Sequence, residues 1–442
     1  MAASQQIDFD IVVVGAGPAG IAAAVVAAGA GRRVAVLDNT PWPGGAIWRS
    51  PKAQPDSARA RRWLERMHNS GALLFCKTTV FAAPAPHALL AETPEGTMEL
   101  RWGQLVLAVG ARELFLPFPG WTLPNVFGVG GLQTLVKAGW PIAGKRVIVA
   151  GSGPLLLAVA ADLRRQGAEI VSVNEQACAG RVLRFGAALP WLAPTKLFQA
   201  IACKYRLLGV PYRLGCWPIS AQGDGRVESV TLTNGRKIWN ESCDYLACAF
   251  GLAPNLELPR LLGCKVENGF VKVNEWQETS APDVYCAGEP AGIGGMELAL
   301  IEGQIAGFSA TGRRGMAQRL FQMRRRALRF SAALERAFSL RTELRELARG
   351  DTIVCRCEDV PRQQLEAYGD LHAAKLQTRC GMGPCQGRIC GGALHFMFGW
   401  ESDNVRPPLL PVQINSLAAC DGRAGGGDPG ARRPPRWGDS AR

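Results

Sequence analysis

Several features are missing from this chain, and each absence closes off a class of protein. The first ten residues, MAASQQIDFD, lack the basic and apolar segments of a secretory signal. The apolar stretch from Ile11 is cut by Gly15, Gly17, Pro18 and Gly20, so no membrane span is expected and the cytoplasm is the expected compartment; membrane association, at most peripheral at the inner face, has no support in the sequence. The middle of the chain holds Cys178, Cys203, Cys216, Cys243 and Cys248 with no C-x-x-C spacing, which excludes a dithiol relay to a disulfide substrate. There are four histidines, His68, His87, His372 and His395, and none belongs to a recognisable acid–base constellation. No aromatic-basic motif accompanies the net charge of +13, so nucleic acid is not an expected partner. The excess is local, because eleven arginines face only Glu335, Glu343 and Glu346 between Arg313 and Arg349.

What is present is an ordinary globular composition, 48% hydrophobic and 20% charged, in a chain of 442 residues, long enough for about three domains. The run DFDIVVVGAGPAGIAAAVVAAGAGRRVAVLD reads as a buried strand, a glycine turn, an Ala-rich helix and a second strand over Val34 to Leu37. A second such unit follows in KRVIVAGSGPLLLAVAADLRRQGAEIVSVNE. The fold class expected is therefore α/β, with two Rossmann-like dinucleotide-binding domains.

In the first unit Gly15, Gly17, Pro18, Ala19 and Gly20 satisfy G-x-G-x-x-G between strand and helix. Such a turn lets backbone N–H groups and a helix N-terminus face a pyrophosphate, with Asp38 placed to accept from the adenosine ribose. FAD rather than NAD is read from TSAPDVYCAGE, where Glu289 follows Gly288 just beyond a strand and can accept from a ribityl hydroxyl. The next helix, opened by Gly294 and Gly295, can aim its positive end at the flavin ring. These features resemble the two-dinucleotide-domain flavoprotein reductases from Asp8 to about Gly312, and the resemblance adds Gly110 of LVLAVGARE as a crossover glycine beside the nucleotide. Val109 stands where that family usually has Thr, and Glu289 where it more often has Asp.

The second unit has Gly151 and Gly153, but Leu156 replaces the third glycine that allows close helix–strand approach. A Leu kept in that geometry would cost about 1 to 3 kcal/mol, so the helix is expected to stand further off. Glu175 occupies the ribose-binding position and is followed by Gln176 and Ala177 rather than arginines, which favours NAD over NADP. NAD(H), a mononucleotide such as ATP, and no ligand at all stay open for this domain.

Apolar residues recur at helical spacing from Gln318 to about Phe338, with arginines between them, and predict an amphipathic linker helix packed on its own protein. Beyond it VCRCEDV and TRCGMGPCQGRICGG gather Cys355, Cys357, Cys380, Cys385 and Cys390 in a short region. Five thiols so close together point to metal, and C-x-C argues for an iron–sulfur centre over a zinc knuckle. Arg356, Arg379 and Arg388 would offset the cluster's negative charge, and Asp359 with Pro361 predicts a helix start. The expected boundaries are 8–140 and 250–312 for the FAD domain, 141–249 for the second Rossmann-like domain, 313–349 for the basic linker, 350–417 for a small helical [2Fe-2S] domain, and 418–442 for a disordered tail.

C-x-C followed by T-R-x-G-M-G-P-C-Q-G-R-x-C resembles the bacterioferritin-associated-ferredoxin-like [2Fe-2S] domain, in the version carried by α subunits of opine oxidases, D-hydroxyproline dehydrogenases and hydrogen cyanide synthase. ARELFLPFPGWTLPNVFGVGGLQ, GEPAGIGGMELALIEGQIAG and Pro43-Gly44-Gly45 extend the resemblance to about Leu417, with Ala46 where relatives commonly carry Gln. The resemblance implies FAD beside Gly44 and Gly45, and a cluster on Cys355, Cys357, Cys385 and Cys390, leaving Cys380 a spectator. It also implies a partner β subunit with its own flavin that oxidises an amine or imino acid, a possible further small subunit, and an acceptor the sequence does not name. The competing readings are a self-sufficient NAD(P)H-dependent ferredoxin or rubredoxin reductase and a non-catalytic redox sensor.

Overall fold

The computed structural model describes residues 5–49, 57–401 and 405–421. They divide into two compact units: described residues up to 111 with 254–328 and 405–421 form the first, and 112–253 with 329–401 the second.

In the first unit the β-branched run of Gln5–Val14 builds a strand between two parallel neighbours, Val34–Leu37 and Gly96–Leu107. Leu73–Phe75 extends the sheet on one side, the antiparallel pair Ala88–Thr93 and Thr79–Ala82 on the other, and Val284–Cys286 joins Gly96–Leu107 in parallel. Helix Pro18–Ala28, buried from Pro18 to Ala27, packs against helix Gly295–Ala310. A helix buried all round has no need of an amphipathic pattern, which explains its Ala-rich composition.

The second unit carries a five-stranded parallel sheet in the order Tyr212–Leu214, Glu169–Glu175, Arg146–Gly151, Tyr245–Ala249, Val126–Gly128. Because Val126–Gly128 pairs with Tyr245–Ala249, this unit begins at residue 112, ahead of the boundary near 140 expected from sequence. The cysteine-rich segment belongs to the same unit, and the indole of Trp121 donates to the carbonyl of Ile353 at 2.6 Å.

The linker helix spans Phe321–Phe338. Phe321 meets Trp276 edge-on in the first unit, while Phe330 and Phe338 flank Phe185 in the second. Two boundaries differ from expectation at the C-terminal end. Leu409 donates to Phe81 and Ser416 to Glu92, so the segment from 405 joins the first unit's sheet rather than the cysteine domain. Residues 418–421 complete helix Ile414–Asp421, and the rest of the expected tail lies outside the described residues.

Candidate functional sites: a dinucleotide cradle and a cysteine centre

Gly15 sits at φ 105°, and a Cβ there would strike the carbonyl of Ala108; one at Gly20 would overlap Gly15's own carbonyl. Only glycine allows strand, turn and helix to meet this closely. Helix Pro18–Ala28 starts behind Gly17, whose position bears no capping side chain, so its first N–H groups are available to an anion. Asp38 is buried and accepts from Ala16 N at 2.7 Å through one oxygen, and from Thr40 N at 2.9 Å through the other. The carboxylate is thereby fixed at the edge of the glycine turn. Gly44 N donates back to Ala16 O at 2.7 Å, drawing the Pro43-Gly44-Gly45 loop to the same turn.

At the far end of this unit Glu289 accepts from Ala111 N, and its burial raises the carboxyl above the usual range. A Cβ on Gly110 would lie 3.7 Å from Glu289 Oε2, so the crossover glycine and the acid adjoin. Gly288 N donates to Glu302 Oε2 at 3.1 Å, and Glu302 pairs with Arg324 at 3.0 Å in a buried ion pair. Sequence reading missed Glu302. A lone carboxylate inside the apolar run LALIEGQIAG was the signal available. The chemistry of this cradle, with backbone N–H donors at one end and acceptor carboxylates at both, fits FAD.

In the second unit Glu175 accepts from Gly153 N at 2.7 Å and from Ala177 N at 2.8 Å, and burial pushes it up to about 7. Leu156 is fully buried in the core, and its helix begins at Leu155, four residues after Gly151; the first unit's helix begins three residues after Gly15. Ser152 Oγ donates to Phe338 O at 2.9 Å, and Gln176 Nε2 donates to Ser152 Oγ at 2.9 Å and to Ser339 O at 3.3 Å. Arg341 N donates in turn to Gln176 Oε1 at 3.2 Å. The segment Phe338–Arg341 is thus bonded to the glycine turn and to the residue after Glu175, where an adenosine would approach.

In the cysteine domain the Sγ atoms of Cys355, Cys380 and Cys390 lie within 4.8 Å of one another, all buried. Strand Ile353–Cys355 delivers the first. Helix Leu371–Thr378, capped by Asp370 and ended by Arg379 in the left-handed region, delivers the second; helix Cys390–Phe398 opens on the third. Hydrogen bonds from Cys380 and Cys390 hold the Cys355 thiol far below the usual range, and the hydrogen bond that Cys380 makes to Cys355, chief among its causes, pushes Cys380 up to about 12. Cys357 is exposed and receives a hydrogen bond from Cys385 N. The four cysteines expected as ligands therefore separate into a buried pair, Cys355 with Cys390, and an outer pair, Cys357 with Cys385. Cys380 stands beside the buried pair. An all-sulfur set of this kind can hold a soft metal centre.

Arg379 pairs with Glu358 at 2.7 Å, which offsets its charge, while Arg356 reaches only the neutral carbonyl of Thr122 at 3.4 Å and keeps its own. One expectation here gives way. Asp359 is at φ 50°, which no N-cap adopts, and Pro361 in extended conformation caps the short helix Arg362–Leu365 instead.

The model of the pyridine nucleotide-disulphide oxidoreductase family matches residues 9–305. The chain belongs to this family. It is an FAD-dependent oxidoreductase of the branch that includes components of two named enzymes. Hydrogen cyanide synthase subunit HcnB of Pseudomonas aeruginosa is 34% identical, with 89% of this chain and 92% of the relative covered. The A subunit of the opine oxidase of Rhizobium meliloti is 31% identical, with 93% and 98% covered. Among solved structures, L-proline dehydrogenase from P. horikoshii has the same fold, with a TM-score of 0.66 at 20% identity over 94% of this chain and 81% of that one. No described helix is long and apolar enough to cross a membrane.

Proposed function

We propose that this chain is the electron-transferring subunit of a heteromeric dehydrogenase that oxidises the carbon–nitrogen bond of an opine, imino acid or related amine. The observation that carries the reading is the presence of a dinucleotide cradle and a buried three-thiol group in one oxidoreductase chain whose relatives are named as subunits. Oxidising an amine to an imine releases two electrons and two protons, and a separate β subunit with its own flavin would perform that step; a further small subunit is compatible with the same scheme.

In this chain Gly15, Gly17, Pro18, Ala19 and Gly20 would hold the FAD pyrophosphate against the helix N-terminus. Asp38 would take the adenosine ribose. Glu289, beside Gly110 and Gly288, would accept from the ribityl chain, while Gly44 and Gly45 close the turn. Cys355, Cys357, Cys385 and Cys390 would hold the [2Fe-2S] cluster as one inner and one outer pair. Bound FAD exchanges electrons in pairs or singly and the cluster singly, which suits transfer between a two-electron donor and a one-electron acceptor.

The self-sufficient reductase reading requires a working second nucleotide site, and the bonds from Ser152 and Gln176 to Phe338 and Ser339 count against it. The decisive test is anaerobic bleaching of the flavin in the purified complex and in the isolated chain, with NADH and with a panel of opines and imino acids. Bleaching by an amine in the complex alone is expected. Bleaching of the isolated chain by NADH at turnover rates would support the reductase instead.

A further inference from the structure

Between Glu175 and Asp224 the sequence holds no Asp or Glu, while Arg181, Arg184, Lys196, Lys204, Arg206 and Arg213 fall within it. This stretch forms two consecutive helices, Ala179–Leu192 and Pro194–Arg206, which are joined at Ala193 and pack on each other. A helix of a globular protein normally turns its apolar stripe inward. Here Leu189 and Phe185 face inward, and a further apolar stripe on each helix faces outward. On the first helix Leu183, Ala187 and Trp191 recur every four residues, and all are exposed. On the second, Phe198, Ile201, Ala202 and Tyr205 follow helical spacing, and Leu208 comes just beyond its end. Trp191 is 83% exposed, Tyr205 74% and Phe198 70%, and the second helix has no fully buried residue.

Leu183, Trp191, Phe198, Ile201, Tyr205 and Leu208 are each more than half exposed, a concentration of bare apolar side chains of the kind that marks an interaction site. Composition agrees, because interface centres are rich in Trp, Tyr, Phe and Arg and poor in Asp and Glu. A second copy of this chain would bring cations against cations, so self-association through this face is disfavoured.

We propose that the helix pair Ala179–Leu192 and Pro194–Arg206 is the docking face for a partner subunit of the complex, one that presents an apolar groove bordered by carboxylates. This rests on the heteromeric reading above. Trp191, Phe198 and Tyr205 fill the groove, and Arg184, Lys204 and Arg206 meet the acidic border.

The test uses the complex purified from its source cells through a tag on this chain, in wild type and in two double variants. Phe198→Glu with Tyr205→Glu should lower the partner's stoichiometry at least tenfold while FAD and iron per chain stay unchanged. Arg184→Glu with Arg206→Glu, which spares the apolar stripe, should weaken the association and remove its dependence on salt. If no second polypeptide co-purifies with the wild-type chain, the heteromeric reading fails and this inference with it. If a partner co-purifies equally with wild type and both variants, the inference alone is overturned. Two further outcomes reassign the face and overturn it as well: flotation with phosphatidylglycerol vesicles that the variants abolish while keeping the partner, and a change from dimer to monomer of this chain with the partner retained.

Discussion

The hydroxyl of Ser152 donates to the carbonyl of Phe338, 186 residues along the chain, at 2.9 Å. This bond ties the linker to the glycine turn of the second dinucleotide fold, and Gln176 braces it from the neighbouring strand end at 2.9 Å. A dinucleotide entering there would have to displace those bonds and leave Gln176 unpaired. NADH should therefore reduce the flavin at least about a hundredfold more slowly than the amine substrate does in the complex, a barrier difference of about 2.7 kcal/mol. Anaerobic stopped-flow absorbance measures this directly, and equal rates would refute it. Leu156→Gly should not restore NADH reduction and should cost about 3 to 6 kcal/mol in chemical denaturation, since Leu156 is fully buried in the core.

Glu175 gives the second unit a pH dependence whose sign is fixed by its shift. Burial raises the folded-state value from the ordinary 4.5 to about 7, so the folded state binds the proton more tightly than the unfolded chain. The associated stability is fully present below about pH 4.5 and is lost as pH rises through 7, amounting to roughly 3 kcal/mol. Urea denaturation of wild type and Glu175→Gln at pH 5 and pH 8 checks this. The variant should lose that part of the slope, and an unchanged slope would show that another group carries it.

Glu302 and Arg324 form a buried pair, 1% and 14% exposed at their side chains. Arg324→Met should cost roughly 3 to 5 kcal/mol because it strands a buried carboxylate, while Glu302→Leu with Arg324→Met should recover much of that loss. Since Glu302 also receives Gly288 N, both variants should shift the visible flavin spectrum. A double-mutant cycle by denaturation, read beside the spectra, separates the two effects.

Much of the fold was legible in the sequence because each βαβ unit is local: alternation, glycine turn and helix lie within about thirty residues. Strand Val34–Leu37 and the start of the helix at Gly295 stand where the pattern placed them. The link between Ser152 and Phe338 was not legible, since neither residue carries any sign of so distant a partner. The place of Cys380 was not legible either: its spacing from Cys385 equals that of Cys385 from Cys390, and the sequence gives no sign that its thiol lies within 4.8 Å of Cys355 and Cys390.

The position of Cys380 gives the cysteines distinct expected phenotypes. Cys380→Ser should leave the cluster's visible absorbance nearly intact, whereas Cys357→Ser and Cys385→Ser should abolish it without loss of FAD. Cys390→Ser should weaken and alter the signal, because Cys380 lies within 4.8 Å of the same neighbour, Cys355, and can take over as a thiolate. The double variant of Cys380 and Cys390 should then lose the cluster entirely. An intact spectrum in Cys390→Ser with loss in Cys380→Ser would exchange their roles.

The central claim, that electrons from an amine reach an iron–sulfur centre in this chain, is tested most directly by electron paramagnetic resonance of the anaerobic complex after substrate is added. The account predicts the signal of a reduced [2Fe-2S] cluster, from two irons per chain, on addition of an opine or imino acid to the complex and not to the isolated chain. Stoichiometric zinc without iron, or the same signal raised in the isolated chain by NADH, would contradict it.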